Sequence, residues 1–176
     1  MKFYFAQFFG FVGLVAMIVG LFQSDKKKML LFVVFNGLFF GVEYLLLGAF
    51  SGMYSNWFGV IRTILCEKKE SDPRFNQKWI LALIMFIYLV IGVVSYDSAV
   101  SLLPIIAEEI YVLSIWQSSP KVIRYGTGVM VLLWLAYDLI VAAYPSAACD
   151  LIVFVSTVTA IIMKKNEPHK QTAERN

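Results

Sequence analysis

The sequence predicts an all-α integral membrane protein with seven transmembrane helices, and three observations support that prediction. Of the 176 residues, 60% are hydrophobic and only 15% are charged, whereas about 25% of a soluble domain is charged. The mean hydropathy of +0.74 argues against a soluble globule, a disordered chain and a nucleic-acid binder. The apolar residues also form long runs of the length that crosses the hydrocarbon core of a bilayer.

Seven such runs follow one another along the chain. The first is followed at once by three lysines, a stop-transfer pattern, so we interpret it as a mature span and not as a signal peptide. The predicted spans are 3–22, about 29–49, about 53–66, about 79–96, about 99–117, about 122–143 and about 148–163.

The basic residues predict how the spans are oriented. Thirteen of the fifteen Lys and Arg residues fall in alternate links and in the tail. The other links, 49–53, 97–98 and 144–147, carry none. Because Lys and Arg prefer the cytoplasmic side of a membrane, we expect the N-terminus outside and the C-terminus in the cytoplasm.

The seven spans divide into three, one and three. We predict a first triple-helix repeat over 1–66, a cytoplasmic loop and linker helix over 67–97, a second repeat over 98–163, and a cytoplasmic tail over 164–176. With a single linker helix between them, the triplets run in the same direction, so the axis that relates them lies along the membrane normal.

A shift of 94 or 95 residues superposes features of the two predicted repeats. It places Gln23-Ser24 on Gln117-Ser118, at the end of the first helix of each triplet. It also places Glu43 on Asp138 and Asn56 on Asp150.

Ionisable residues within the predicted spans are the main functional signal. Glu43, Glu108, Glu109 and Asp138 lie within spans, and Asp150 lies nearer the outer surface. The one basic residue within a span is Arg62, near the end of the third, where we expect its side chain to reach the interface. A central Asp or Arg costs about 3 kcal/mol, so this excess of acids favours a cavity that binds cations or protons. The alternative is that protonated carboxyls only bond the helices together.

The matched acids Glu43 and Asp138 are the strongest candidates for the cavity wall. We expect them to face a common central cavity, and at least one to take up a proton near neutral pH, because neighbouring carboxylates repel each other. Of the adjacent pair in the fifth span, Glu108 is favoured over Glu109 as the one that faces the cavity. The candidate substrate- or proton-binding residues are Glu43, Asp138, Asn36, Asn56, Trp134, Glu108 and Asp150.

Two of the remaining candidates allow a functional and a structural interpretation. Pro104 removes a backbone hydrogen bond and is expected to kink the fifth helix, as a gating hinge or as a packing accommodation. Trp134 could stack on a ligand or fill the core. Cys66 and Cys149 lack metal-ligand spacing, so no metal and no cofactor is predicted. Hydrolase and phosphate-binding motifs are absent from the sequence, and we predict that the protein is not an enzyme.

Short segments of the chain resemble a known family. Residues 60–63 (VIRT) and 101–106 (SLLPII), with the overall length and the short basic tail, resemble YgjV-type bacterial inner-membrane proteins. The 3+1+3 layout more remotely resembles the SWEET, PQ-loop and KDEL-receptor group. The resemblance implies a multi-pass protein of the bacterial cytoplasmic membrane. In SWEET sugar carriers an Asn on the third helix of each triplet contacts substrate, and Asn56 and Asp150 would take those places here.

The sequence therefore predicts a small-solute transporter with a central, partly acidic cavity between two helix triplets. The alternative is a non-transporting membrane receptor or assembly factor with a SWEET-like fold. Short loops offer little surface for docking a protein, which favours transport. The predicted partners are the lipid bilayer and a small polar or cationic solute, with protons as a further candidate, and no nucleic acid.

Overall fold

The computed structural model describes residues 1–117 and 119–166, and this part of the chain contains seven α-helices and no strand. The predicted all-α, seven-helix fold is confirmed. Most of the predicted tail, 167–176, lies outside the described residues, as does Ser118. The helices are α1 (Lys2–Leu21), α2 (Lys26–Leu47), α3 (Phe50–Ser71), α4 (Lys78–Val94), α5 (Leu102–Trp116), α6 (Pro120–Val141) and α7 (Tyr144–Asn166).

Within the described residues, five segments are long and apolar enough to cross a membrane. They are α1, α2, α6, α7 and the stretch Ala99–Trp116, which joins a 3-10 turn to α5. The linker helix α4 is equally apolar but shorter, at 17 residues. Helix α3 is long enough, at 22 residues, but carries many polar side chains. Large hydrophobic side chains such as Phe5, Phe8 and Phe11 are exposed on α1, as expected of a surface that faces lipid.

Several helix ends differ from the predicted ones. Helix α3 begins at Phe50 and runs to Ser71, beyond the predicted limits 53 and 66. Helix α7 begins at Tyr144, so Pro145 lies in its first turn and not in the predicted link 144–147. A proline is tolerated there because the first N–H groups of a helix have no partner within the helix. The links between α2 and α3 and between α6 and α7 are therefore shorter than the apolar runs suggest.

Pro104 lies in the first turn of its helix, whereas the predicted kink of the fifth helix requires a position in the helix interior. A 3-10 turn, Ala99–Ser101, precedes α5, and α5 itself begins at Leu102. Pro104 is thus the third residue of the helix, where a missing N–H breaks no helical hydrogen bond. This position removes the physical argument for a gating hinge at Pro104.

The helices pack in the same order in both triplets. Helix α2 packs against both α1 and α3, and α6 packs against both α5 and α7. Between the triplets, α1 packs on α7 and α3 packs on α5, while α4 lies against α5 and α3. Exchanging the triplets converts the α1–α7 contact into the α5–α3 contact. The packing is therefore what two equivalent triplets facing each other would give.

Equivalent helices occur at a constant distance along the chain. Helices α2 (Lys26–Leu47) and α6 (Pro120–Val141) begin and end 94 residues apart, and α3 and α7 also begin 94 residues apart. Each of α2 and α6 is followed by a left-handed residue, Gly48 with φ of 76° and Ala142 with φ of 59°. That conformation is unfavourable for alanine, so its recurrence at the same place indicates that both triplets need the same tight turn.

The offset of 94 corrects the predicted alignment of the two acids. The first backbone N–H after each left-handed residue bonds the carbonyl oxygen of Tyr44 in one triplet and of Asp138 in the other, both at 2.9 Å. Tyr44 is therefore the counterpart of Asp138, and the expected match of Glu43 with Asp138 is wrong by one residue. Glu43 corresponds to Tyr137.

The buried core lies between the triplets. Its largest cluster combines side chains of α2, α3, α5, α6 and α7. A second cluster docks α4 on α5. The first cluster contains Phe40, Tyr44, Ala49, Met53, Ala107, Trp134, Tyr137, Ala143 and Cys149, and the second contains Ile80, Ile84, Tyr88, Ile105 and Val112.

The predicted orientation can be tested with reporter fusions. Alkaline phosphatase fused after Asn176 is expected to be inactive in cells, and a fluorescent protein at the same place to fluoresce, because the last span should end in the cytoplasm. A phosphatase inserted between Asp97 and Ser98 is the positive control and should be active. Phosphatase activity from the fusion after Asn176 would show that the orientation is reversed.

Candidate functional site

Polar side chains gather at two levels in the interface between the triplets. We call the end of the bundle where α1, α3, α5 and α7 begin the N-terminal face. The carboxyl–tyrosine network lies near this face and consists of Glu43, Tyr44, Ser51, Tyr137, Asp138 and Ser146. The ion-pair network lies deeper and consists of Arg62, Tyr88, Glu108 and Trp134.

Two hydrogen bonds of the carboxyl–tyrosine network join an acid of one triplet to a hydroxyl of the other. The Tyr44 hydroxyl donates to Asp138 Oδ1 at 2.5 Å, and Ser146 Oγ donates to Glu43 Oε2 at 2.6 Å. All four side chains are buried, and both acids are fully so. The second oxygen of each acid has no hydrogen-bond partner among the described residues.

Tyr137 makes the remaining contacts of this network. Its hydroxyl lies 2.9 Å from Ser51 Oγ and accepts the backbone N–H of Gly52 at 3.0 Å. Gly52 is in the first turn of α3, where the backbone N–H groups lack helical partners. Tyr137 of the second triplet therefore caps a helix of the first.

The contacts of the network repeat between the triplets. At the offset of 94, Glu43 corresponds to Tyr137 and Ser146 corresponds to Gly52, so the Glu43–Ser146 contact is the counterpart of the Tyr137–Gly52 contact. Tyr44 and Asp138 are themselves equivalent residues, so exchanging the triplets leaves the hydrogen bond between them in place. Each triplet thus contributes one acid and one tyrosine at adjacent positions, with the acid first in the first triplet and the tyrosine first in the second. Across the interface, each acid therefore contacts a hydroxyl group.

Helix α1 closes over this network. A Cβ atom at Gly10 would overlap the carboxyl group of Glu43, so a larger residue there would force that carboxyl group to move. Gln7 donates from Nε2 to the carbonyl oxygen of Ala142 at 2.9 Å, at the left-handed turn between α6 and α7.

The ion-pair network is centred on Arg62 and Glu108. Arg62 Nη1 donates to Glu108 Oε2, and the two residues are only 7% and 6% exposed. Tyr88 donates to the same carboxyl oxygen at 3.0 Å, and Trp134 Nε1 donates to the other at 3.3 Å. The guanidinium also lies over the Tyr111 ring, 4.6 Å from its centre. The expectation that Arg62 reaches the interface is wrong, because α3 continues to Ser71 and Arg62 lies in its interior.

Three aromatic rings connect the two networks. Tyr44 lies 5.8 Å from Trp134 and 5.8 Å from Tyr137, and Trp134 and Tyr137 lie 5.9 Å apart, measured between ring centres. These are distances at which aromatic rings attract each other. We call Tyr44, Trp134 and Tyr137 the aromatic layer.

A cavity of about 650 Å³ lies at the N-terminal face. It is bounded by the link between α2 and α3, the link between α4 and α5, and the end of α6. Of the described residues in its lining, Asp97 is the one that carries a charge, and many of the others bear hydroxyl groups. The hydroxyl-bearing residues are Ser51, Tyr54, Ser95, Tyr96, Ser98, Ser101 and Tyr137.

A second cavity of about 90 Å³ lies deeper, between α2, α3 and α5. Its wall combines the ion pair with side-chain amides and hydroxyls. The polar residues that line it are Asn36, Ser55, Asn56, Arg62, Thr63 and Glu108.

Three of the predicted site residues share the smaller cavity: Asn36, Asn56 and Glu108. Trp134 lies beside it, in contact with Glu108. Glu109 is not in the lining of this cavity, and neither of its carboxylate oxygens has a hydrogen-bond partner within the described part of the chain. Asp150 occupies in α7 the place that Asn56 occupies in α3, and it is half-buried.

Glu43 and Asp138 do not line either of these two cavities. They are packed in the carboxyl–tyrosine network, where hydroxyl groups of the opposite triplet contact them. A common cavity shared by the two acids stays a prediction. Their predicted proton uptake stays a prediction.

The site residues predicted from the sequence do not include Tyr44, Ser146 and Ser55. The role of Tyr44 could have been predicted, because a Glu-Tyr pair at 43–44 and a Tyr-Asp pair at 137–138 lie 94 residues apart. Two carboxyl–hydroxyl pairs at a repeat distance predict a cross-triplet network better than two matched acids do.

Comparison with known proteins identifies the family. Residues 4–167 match Imp-YgjV, described as a bacterial inner membrane protein. The chain belongs to this family. The match covers most of the chain and confirms the predicted family and the inner-membrane location. The comparisons with curated proteins and with solved structures gave no match. The remoter resemblance to the SWEET group stays a prediction.

Proposed function

We propose that this Imp-YgjV family member is a small-solute transporter of the bacterial inner membrane, in which the solute passes between the two triplets. The observation that supports this most is that two cavities with polar residues in their walls lie at different depths along the interface. The larger is at the N-terminal face and the smaller is deeper, between α2, α3 and α5. A receptor that only docks a partner would not need the deeper one.

The aromatic layer separates the two cavities. Tyr137 lines the larger cavity and contacts Trp134. Trp134 in turn bonds Glu108, which lines the smaller cavity. Moving these rings aside would connect the cavities, so the layer is a suitable barrier in a closed pathway.

The two equivalent triplets provide a means of moving that barrier. In transporters built from repeats, one repeat rocks against the other around a site at their interface. At the end opposite the N-terminal face, Lys69 of α3 donates to the carbonyl oxygen of Trp116 of α5 at 2.7 Å and lies 4.2 Å from the centre of its ring. Rocking would break this contact while the N-terminal face closes.

The lining of the larger cavity favours polar or cationic solutes over anions. Hydroxyl groups can donate to a solute or accept from it. Asp97 contributes a negative charge, and no Lys or Arg among the described residues lines this cavity. An anion would therefore find no countercharge on entry.

Transport can be tested with purified protein reconstituted into liposomes. We expect uptake of some members of a panel of labelled amides, polyols, amino acids and small organic cations, at rates above those of protein-free liposomes. For a blocking test, Cys66 and Cys149 are first replaced by alanine. Labelling Ser98→Cys, in the larger cavity, with a bulky water-soluble maleimide should then abolish uptake.

The matched control is Asn76→Cys, an exposed residue in the link between α3 and α4. It should be labelled equally well, and uptake should not change. If no solute of the panel enters faster than into protein-free liposomes, transport of these classes is contradicted. Solute binding without uptake would favour the receptor alternative.

A further inference from the structure

The smaller cavity holds polar atoms that the protein itself does not satisfy. Ser55 and Arg62 both line it, and neither Ser55 Oγ nor Arg62 Nε has a hydrogen-bond partner among the described residues. Both side chains are more than nine-tenths buried. Buried polar groups are nearly always hydrogen-bonded, to protein or to a bound molecule, because leaving them unpaired is costly. The cavity is therefore built to receive a polar guest.

The charges of the wall select an uncharged guest. Arg62 and Glu108 are the two charged residues of the lining, and they neutralise each other through a direct hydrogen bond. A charged guest would lose its hydration and find no free countercharge, whereas a neutral guest avoids that cost.

The hydrogen-bonding groups of the wall require a guest that both accepts and donates hydrogen bonds. Arg62 Nε–H can only donate. Asn36 donates from its amide nitrogen to the carbonyl oxygen of Gly13 at 3.0 Å, and Asn56 donates to that of Gly52 at 3.2 Å. Both side-chain amide oxygens can therefore accept a hydrogen bond from a guest. A carbonyl oxygen beside an NH₂ group satisfies both requirements.

The volume limits the size of the guest. A cavity of about 90 Å³ holds about three water molecules, at about 30 Å³ each. Formamide, acetamide and urea are of this size.

We propose that the smaller cavity is a binding site for a small, uncharged amide or urea-type solute, held between the Arg62–Glu108 pair and the side chains of Ser55, Asn36 and Asn56. This rests on the proposed function only in naming the class of solute that the transporter carries. The binding site itself stands on the cavity and its unpaired groups.

Two pairs of probes separate charge from shape. Acetamide and acetate have nearly the same size and shape, as do urea and guanidinium, but one member of each pair is charged. We expect saturation-transfer NMR on the full-length protein in detergent to detect acetamide and urea, with dissociation constants on the order of millimolar. Acetate and guanidinium should bind at least about tenfold more weakly.

A variant that fills the cavity without disturbing the fold tests the location. Gly59 lines the cavity, and a Cβ atom there would lie 3.6 Å from Arg62 Nη2 and 3.8 Å from the Tyr88 hydroxyl, which are ordinary contacts. Gly59→Ala should therefore fold normally and weaken acetamide and urea binding about tenfold or more. Gly128→Ala on α6 is the matched control, since its Cβ would lie 3.8 Å from Thr157 Cγ2 and outside this cavity. It should leave binding unchanged, and its thermal stability should be at least that of the unmodified protein.

The binding experiments test the proposed binding site independently of the transport proposal. Equal binding of charged and neutral probes, no binding of either neutral probe, or unchanged binding in Gly59→Ala would overturn it. If the neutral probes bind as expected but no solute crosses liposome membranes, the site stands and the transport proposal fails. If larger solutes are transported while acetamide and urea do not bind, transport stands and this site assignment fails.

Discussion

Replacing Arg62 by leucine is expected to destabilise the protein by about 3–5 kcal/mol, because it leaves the buried carboxylate of Glu108 without its countercharge. Tyr88 and Trp134 would still donate to that carboxylate, but neutral donors do not replace a positive charge. The loss should appear as a large fall in the midpoint of thermal unfolding in detergent.

A second substitution shows whether the unpaired charge causes that loss. In the double variant Arg62→Leu with Glu108→Gln, the glutamine carbonyl can still accept from Tyr88 or Trp134 while no charge is left unpaired. We expect most of the lost stability to return. Arg124→Leu is the control for removing a half-buried arginine. Among the described residues its guanidinium donates to a backbone carbonyl, that of Ala160 at 3.1 Å, and losing this bond should cost about 1 kcal/mol. A double variant as unstable as Arg62→Leu would show that packing, not charge, dominates at this site.

The seven helices were predictable because each needs an apolar stretch, but their ends were not. Apolarity reports where a chain meets lipid, whereas helical hydrogen bonding continues through polar residues beyond the membrane. Helix α3 is the clearest case, since its last turn contains Lys68 and Lys69 and the helix ends only at Ser71. This longer helix is also what places Arg62 in the interior of the bundle.

The composition of the site was more predictable than its pairing. Glu108 was a candidate as an acid within a span, and Asn56 through the repeat and the SWEET resemblance. The structure brings both of them, with Asn36, to one cavity. The Arg62–Glu108 contact joins residues 46 positions apart in sequence, a distance that no periodicity within one helix can indicate. Such a contact depends on how α3 and α5 pack together.

The alignment of the repeats shows why similar residues are an unreliable guide to equivalent positions. Matching acid to acid favours a shift of 95, whereas the helix ends require 94. The difference changes the chemistry of the interface. Two facing carboxylates would repel each other, but the actual arrangement opposes Asp138 to Tyr44 and Glu43 to Ser146, and both contacts are attractive.

The two buried acids Glu43 and Asp138 are expected to bind and release protons during transport. Glu43→Gln and Asp138→Asn keep an oxygen that can accept from Ser146 and from Tyr44, respectively, but they remove the ability to bind and release a proton. If the acids exchange protons as the triplets rock, solute uptake by the unmodified protein should vary across about pH 5 to 8. In either amide variant that variation should disappear, so that uptake at the two ends of the range becomes about equal. Both variants should still reconstitute and unfold near the temperature of the unmodified protein.

Asp97→Asn is the matched control, because Asp97 lines the larger cavity but is exposed in the link before α5. It should leave the pH profile of uptake unchanged. If the amide variants at Glu43 and Asp138 keep the profile of the unmodified protein, the two acids only bond the triplets together. Their role would then be the attraction of each carboxyl group to a hydroxyl group across the interface, which an amide reproduces.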